Sequence, residues 1–364
     1  MISNRRWLTA AILAASFWLA GCSPANEPVD AAPASVAETT ERTAAVAIPD
    51  KYGAQVAEDV LRAGGNAVDA AVAVGFSMAV TFIDAGNIGG GGFMMIYMDD
   101  TPAFLDYRET APLAAHRDMY LDEHRDVIEN ASLIGARAAG VPGTVAGLWE
   151  AHQRYGRLPW NDLVMPAVRL AEEGFLPAQA IVDDIHSMKD WFGDATGFYD
   201  HFGGISAEQP FRQPELGKTL RRIAEHGPED FYRGETARLI VGEMARSNGL
   251  ITAEDLERYR AVWREPLRTG WRNYEILAAP PPSSGGFALI QLLKMKDYLA
   301  DYFDGVPHNS PQYIHLVAEM EKRVFADRAE YLGDPDYVDN PIAKLIADDY
   351  IARRALEVNP DEIS

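Results

Sequence analysis

Cysteine is all but absent: Cys22 is the one example in 364 residues. No internal disulfide can form, and zinc or iron–sulfur sites built from several thiolates are excluded. Basic residues are scarce, with 33 Lys and Arg against 54 Asp and Glu, for a formal net charge of −21. Phosphate backbones need clustered cations, so nucleic acid is excluded as a partner. The eight histidines contain no H-x-x-x-H pair, and neither metal nor cofactor is expected. No repeat of fixed period runs through the chain, which removes solenoids and propellers. With 48% apolar and 10% aromatic residues, the chain does bury a core. Its length allows about two domains of roughly 150 residues, or one large one.

The amino terminus reads as an address. Arg5 and Arg6 precede an apolar stretch, Leu8 to Ala20, too short to span a bilayer and of signal-peptide size. It ends Leu19-Ala20-Gly21-Cys22, which resembles the bacterial lipobox, so residues 1–21 are expected to be removed and Cys22 acylated. The bland alternative is an ordinary signal peptide with a chance cysteine. Residues 22–45 hold Pro, Ala, Glu, Ser and Thr without aromatic, Leu or Ile, the composition of a flexible tether. The expected location is extracytoplasmic, on a bacterial membrane facing the periplasm or the cell surface. The folded region is expected over 46–364.

Helical spacing at Val56, Val60 and Ala63 stops at Gly64-Gly65. Asn66 then caps a second helix, Ala67 to Thr81, apolar on almost every face and hence buried all round. Phe93 to Met98 reads as a buried strand, Asp99 to Pro102 as a turn, and Ala103 to Tyr107 as the return strand. Pro142 suits a first helical turn closed by Gly156, and helical patterns follow to Glu173, from Leu216 to Glu225 and from Thr236 to Ala245. Thr252 with Asp255 marks a capping box. Leu267 to Trp271 and Tyr274 to Leu277 read as strands, and a long helix starts at Ser310-Pro311. The class is α+β.

Three features could carry chemistry. The run Gly89 to Gly92 either cradles an anion or packs a tight turn; it is neither a P-loop nor a dinucleotide fingerprint. Ser283-Ser284 lacks a surrounding G-x-S-x-G, and a serine N-cap fits it better than a nucleophile. Arg108, just beyond the hairpin, is a rigid fork suited to a carboxylate; alternatively it pairs with Glu109 or is solvated.

The order of motifs says more. Gly64-Gly65-Asn66-Ala67-Val68-Asp69-Ala70-Ala71-Val72-Ala73, then Ala85 to Phe93, then Asp106-Tyr107-Arg108-Glu109-Thr110-Ala111-Pro112 resemble segments of the γ-glutamyltransferases, or glutathione hydrolases. Gly140-Val141-Pro142-Gly143, Gly227-Pro228-Glu229-Asp230-Phe231-Tyr232, Pro280 to Gly286 and Ala326 to Pro335 follow in family order. The resemblance covers roughly 46–350 and implies an N-terminal-nucleophile hydrolase, an αββα sandwich cut from a precursor into large and small subunits. It implies glutathione and other γ-glutamyl compounds as donors, water or amino-acid and peptide acceptors as second substrates, and a heterodimer with the small subunit. It also implies that Arg108 holds the donor's α-carboxylate. The nucleophile, a threonine heading the small subunit, is expected downstream of Ser364, since Thr39-Thr40 falls in the tether. No catalytic residue is therefore expected within these residues, and they are expected to be inactive alone. Two alternatives are a related acylase of glutaryl-type substrates and a non-catalytic lipoprotein that binds γ-glutamyl peptides.

Overall fold

A computed structural model describes residues 44–192 and 196–364. The leader 1–21, Cys22, Thr39-Thr40 and nearly all of the tether lie outside the described residues. Val46–Ser364 forms one unit.

The first helices follow their caps. Asp50 accepts from the Gly53 amide at 2.7 Å and opens α1 (Lys51–Arg62). At α2 (Ala67–Thr81), Asn66 accepts from the Val68 and Asp69 amides, and the Asp69 carboxylate accepts in return from the Asn66 amide. Such a reciprocal box satisfies donors that a helix start otherwise leaves orphaned. Asp69 is fully buried and also accepts from the Arg157 amide at 2.9 Å, which ties the helix start to a distant loop. The all-round burial expected of α2 needs correction: Val68, Val72, Ala73, Phe76 and Val80 sit in the main core, but Ala67 and Ala71 are exposed and Val74 and Met78 half-buried along one stripe of the helix.

The hairpin β1 (Phe93–Met98) and β2 (Thr101–Asp106) turns on Asp99 and Asp100, both at positive φ, the two-residue geometry that matches strand twist. The return strand thus begins at Thr101 and includes Pro102. The proline is tolerated because β3 (Val262–Arg264) pairs only Phe104 to Asp106, leaving Pro102 outside that ladder. The burial expected of β1 needs correction. Ile96 faces the core, but Met95 and Tyr97 are exposed, because one face of this strand packs inward among the described residues.

Helices then dominate. α3 (Thr144–Tyr155) begins two residues after Pro142, which therefore precedes the helix instead of occupying its first turn. α4 (Trp160–Glu173), α5 (Gln179–Ser187), and the short α6 (Lys189–Phe192) and α7 (Phe198–Phe202) follow. Next come α8 (Pro214–His226), α9 (Pro228–Arg233), α10 (Glu235–Arg246) and α11 (Ala253–Arg258), the last opened by the Thr252–Asp255 box. The main core joins Val56 and Val60 of α1, Leu163, Val164 and Val168 of α4, Leu220 and Ile223 of α8, and Ala103 and Leu105 of β2 around α2. Trp160 meets Phe76 edge-on at 5.3 Å and donates to the Ile223 carbonyl, so its apolar body and its N–H are both used.

A second hairpin, β4 (Leu267–Trp271) and β5 (Tyr274–Ala278), leads to α12 (Gly285–Tyr298) and the short α13 (Ala300–Phe303). The long α14 (Pro311–Tyr331), α15 (Ile342–Leu345) and α16 (Asp348–Ala355) complete a second core of Phe287, Met295, Leu316, Met320, Val324, Leu345 and Ile351. The described strands form one three-stranded and one two-stranded antiparallel sheet, in a helix-rich α+β fold. No helix among the described residues is long and apolar enough to cross a membrane.

Candidate active site

The glycine run, the arginine segment and the start of α3 are laced together. Gly92 and Tyr107 exchange backbone hydrogen bonds at 3.2 and 3.0 Å, extending the hairpin beyond its strands. The Gly90 carbonyl accepts from the amides of Gly143 and Thr144 at 2.7 and 3.0 Å, so the first donors of α3 are taken up by protein. Thr110 and Val141 exchange another pair. At Gly91 a Cβ would meet the Glu109 nitrogen at 2.8 Å and the Arg108 carbonyl carbon at 3.0 Å. Close packing is therefore what the glycine run provides at this point, in preference to an anion cradle.

Arg108 emerges where these strands of chain meet. Its amide donates to Asp106 Oδ1 at 3.1 Å, and its carbonyl accepts from the Tyr259 hydroxyl at 2.8 Å. The backbone is thus held on both sides of the Arg108 Cα while the side chain remains 56% exposed. The guanidinium carbon stands 5.5 Å from the Phe93 ring centroid, and Nε meets Glu109 Oε2 at 3.1 Å. An exposed pair of this kind contributes about 0.2–1 kcal/mol. Charge-assisted bonds from the guanidinium to a bidentate carboxylate are worth more, about 1.5–3 kcal/mol, so the Glu109 pair does not disqualify the fork as a ligand site. No hydrogen bond among the described residues occupies Nη1 or Nη2 of Arg108.

Behind the arginine lies a buried polar layer that the sequence did not reveal. Asp106 Oδ2 accepts from Arg264 Nε at 2.8 Å, and Arg264 also approaches Asp336 at 3.6 Å. The Tyr259 ring stacks on Tyr232 with centroids 5.7 Å apart and planes 7° from parallel. Burial raises the pKa of both phenols well above the ordinary tyrosine value, so they stay protonated and remain donors. Asp106 could have been found, since an aspartate two residues before a backbone amide is a familiar turn former. Tyr259 and Arg264 carried no such local signal.

The serine pair behaves differently from expectation. Ser284 stands at the N-cap of α12, yet its side chain makes no cap bond. Instead Arg328 Nε donates to Ser284 Oγ at 2.9 Å, and the Gly285 amide donates to Ser283 Oγ at 3.2 Å. Two surface clefts lie elsewhere: one of about 540 Å³ between α1 and α4, and one of about 480 Å³ beside Pro281 and Tyr337. Arg108 lines neither. Among the described residues no three His, Cys, Asp or Glu side chains gather to hold a metal ion.

Comparison with known proteins agrees with this assembly of motifs. The gamma-glutamyltranspeptidase family model matches residues 53–364. A glutathione hydrolase proenzyme of Pseudomonas aeruginosa is 55% identical over 336 residues, covering 92% of this chain and 60% of the relative. The chain therefore spans about 60% of the length of that relative. A solved gamma-glutamyltranspeptidase from Pseudomonas nitroreducens, complexed with L-DON, superimposes with a TM-score of 0.87 at 56% identity, covering 88% of this chain and 96% of that one. The gamma-glutamyltranspeptidase of Helicobacter pylori gives a TM-score of 0.82 at 37% identity, covering 87% and 92%. The helix-rich α+β architecture is that of N-terminal-nucleophile hydrolases, and with its motifs in order and its fold shared, the chain belongs to the gamma-glutamyltranspeptidase family.

Proposed function

We propose that residues 46–364 form the arginine-bearing part of an enzyme that cleaves the γ-glutamyl bond of glutathione and passes the γ-glutamyl group to water or to an amino-acid or peptide acceptor. One observation carries this reading: Arg108 is fixed through its backbone while its fork stays exposed beside the glycine run. Coverage supports a two-part enzyme as well. The solved Pseudomonas nitroreducens chain is matched over 96% of its length, whereas the Pseudomonas aeruginosa proenzyme is matched over 60%.

In this reading Arg108 grips the α-carboxylate of the donor with two parallel N–H···O bonds, which sets the γ-carbonyl in one place. A threonine at the head of a second polypeptide segment attacks that carbonyl through its hydroxyl oxygen. Its own α-amine, with an ordinary pKa of about 7.7–8.0, takes the hydroxyl proton and returns it to the departing amine. The γ-glutamyl ester is then opened by water or by the acceptor's amine. Cys22 carries lipid and holds the enzyme on an extracytoplasmic membrane surface.

Glutamate release from glutathione tests the catalytic half of this reading. The complete protein is expected to turn over and residues 46–364 alone are not; turnover by the isolated part would mean a nucleophile among these residues. Mass spectrometry of the amino-terminal peptide tests the anchor, and an unmodified Cys22 in membrane fractions would remove it from the scheme.

A further inference from the structure

We propose that Tyr259 is a positioning residue that sets the direction of Arg108 towards its carboxylate ligand; the inference rests on the reading above and deepens it. Tyr259 lies 151 residues after Arg108 and donates its hydroxyl proton to the Arg108 carbonyl at 2.8 Å. It is 6% exposed, so the bond is shielded from competing water. Its surroundings are built to hold that one oxygen. A Cβ at Gly143 would overlap the Tyr259 hydroxyl, and the ring stacks nearly parallel on Tyr232. Tyr232 in turn donates to the Pro142 carbonyl at 2.8 Å and accepts from the Ala146 amide at 3.2 Å, which fixes the stack to the start of α3.

The helix before Tyr259 is stitched to the same segment. Asp255 of α11 accepts from the Leu113 amide at 2.7 Å, five residues beyond Arg108. The two peptide units that flank the Arg108 Cα are therefore each held, the preceding one at its N–H by Asp106 and the following one at its carbonyl by Tyr259. Rotation of the backbone at Arg108 would swing the whole side chain, which rests with Nε on Glu109 at 3.1 Å. Fixing the backbone aims the fork while Nη1 and Nη2 remain available for a ligand, Nε alone being engaged by Glu109.

A residue that merely supports the fold would lower activity towards all substrates alike. A residue that aims the fork alters one comparison selectively: the γ-glutamyl anilide against the 4-aminobutyryl anilide, which lacks the α-carboxylate. In the complete protein, Tyr259→Phe removes one oxygen and keeps the stack. Its KM for the γ-glutamyl anilide should rise about 10-fold with kcat changed less than about 3-fold, and the kcat/KM ratio between the two anilides should fall about 10-fold. Tyr232→Phe, which loses the bonds to Pro142 and Ala146 but leaves the Arg108 carbonyl its donor, should keep that ratio within about twofold. Should Tyr259→Phe fail to fold, 4-fluorophenylalanine incorporated at position 259, which fills the hydroxyl's place without a proton to donate, is put through the same comparison with the same expected fall. If the Tyr259 variant leaves the ratio where Tyr232→Phe leaves it, the positioning role is overturned. Arg108→Lys serves as the anchor: collapse of the ratio there keeps the functional reading standing whatever Tyr259 does, and an unmoved ratio overturns that reading itself.

Discussion

Asp106 and Arg264 meet at 2.8 Å across the β2–β3 ladder, on carboxylate and guanidinium groups that are 8% and 16% exposed. β3 sets Arg264 opposite Phe104, so the pair lies on the diagonal of one sheet face. The carboxylate divides its two oxygens between this arginine and the Arg108 amide. Removing the carboxylate leaves a largely buried guanidinium without its nearest counter-charge, a change worth about 3–5 kcal/mol in comparable buried pairs. Asp106→Ala is therefore expected to lower the denaturant midpoint by the equivalent of about 3 kcal/mol, and Asp106→Asn by less because the amide oxygen can still accept. Equilibrium urea unfolding measures both. Equal midpoints for wild type and Asp106→Ala would show that the pair does not stabilise the hairpin.

The neighbouring glycines make an independent case for backbone packing under the arginine. A methyl group at Gly91 would press on the backbone of Glu109 and Arg108, which cannot rotate away. At Gly89 the nearest atom to a new Cβ is Asn87 Oδ1, at 4.0 Å. Gly91→Ala should destabilise the protein by about 1–3 kcal/mol and shift the Arg108 loop, while Gly89→Ala should lie within about 0.5 kcal/mol of wild type. Thermal melts of the two variants give the comparison, and equal melting temperatures would contradict the packing argument.

What could be read from the chain followed the range of the forces involved. Helix starts at Asn66 and at Thr252–Asp255 were legible because capping is a contact over three residues. The hairpin was legible because its strands meet over a two-residue turn, although its exposed face was not, since exposure depends on what lies across the sheet. β3 has no local signal: three residues with no alternation of their own become a strand by pairing with β2, 158 residues from Asp106 to Arg264. Arg108 stood out by chemistry and motif. Tyr259, which holds it, could only be found once the chain was folded.

Glu319 on α14 predicts how the second core responds to acid. It is 1% exposed and bonded by Lys322, Arg323 and the Ser364 hydroxyl, each at 2.6 Å. The Lys322 bond first, and then those from Ser364, hold its pKa down at about 2 despite burial. Because the folded value lies below the unfolded one, near 4.3, the carboxylate stabilises the fold fully above that value and loses its effect as pH falls towards 2. Glu319→Gln should melt lower at pH 7, and its melting curve should converge on wild type between pH 4.5 and pH 2. Parallel curves over that range would remove Glu319 from the acid response.

Arg108→Lys asks whether the exposed fork is a ligand group or a surface charge. A lysine keeps the positive charge and can still reach Glu109, so the surface pair, worth about 0.2–1 kcal/mol, survives in some form. It cannot present two parallel donors to one carboxylate, because an ammonium is a point charge on a flexible stem. The two roles therefore separate cleanly. Stability should stay within about 0.5 kcal/mol of wild type, as for other exposed substitutions. Under the proposed function, kcat/KM of the complete protein for glutathione should fall on the order of 100-fold, equivalent to about 3 kcal/mol of lost transition-state stabilisation. A larger fall for Arg108→Ala than for Arg108→Lys would measure how much of the effect is charge alone. Unchanged kcat/KM in the lysine variant would return Arg108 to the surface, held by Glu109, with no part in catalysis.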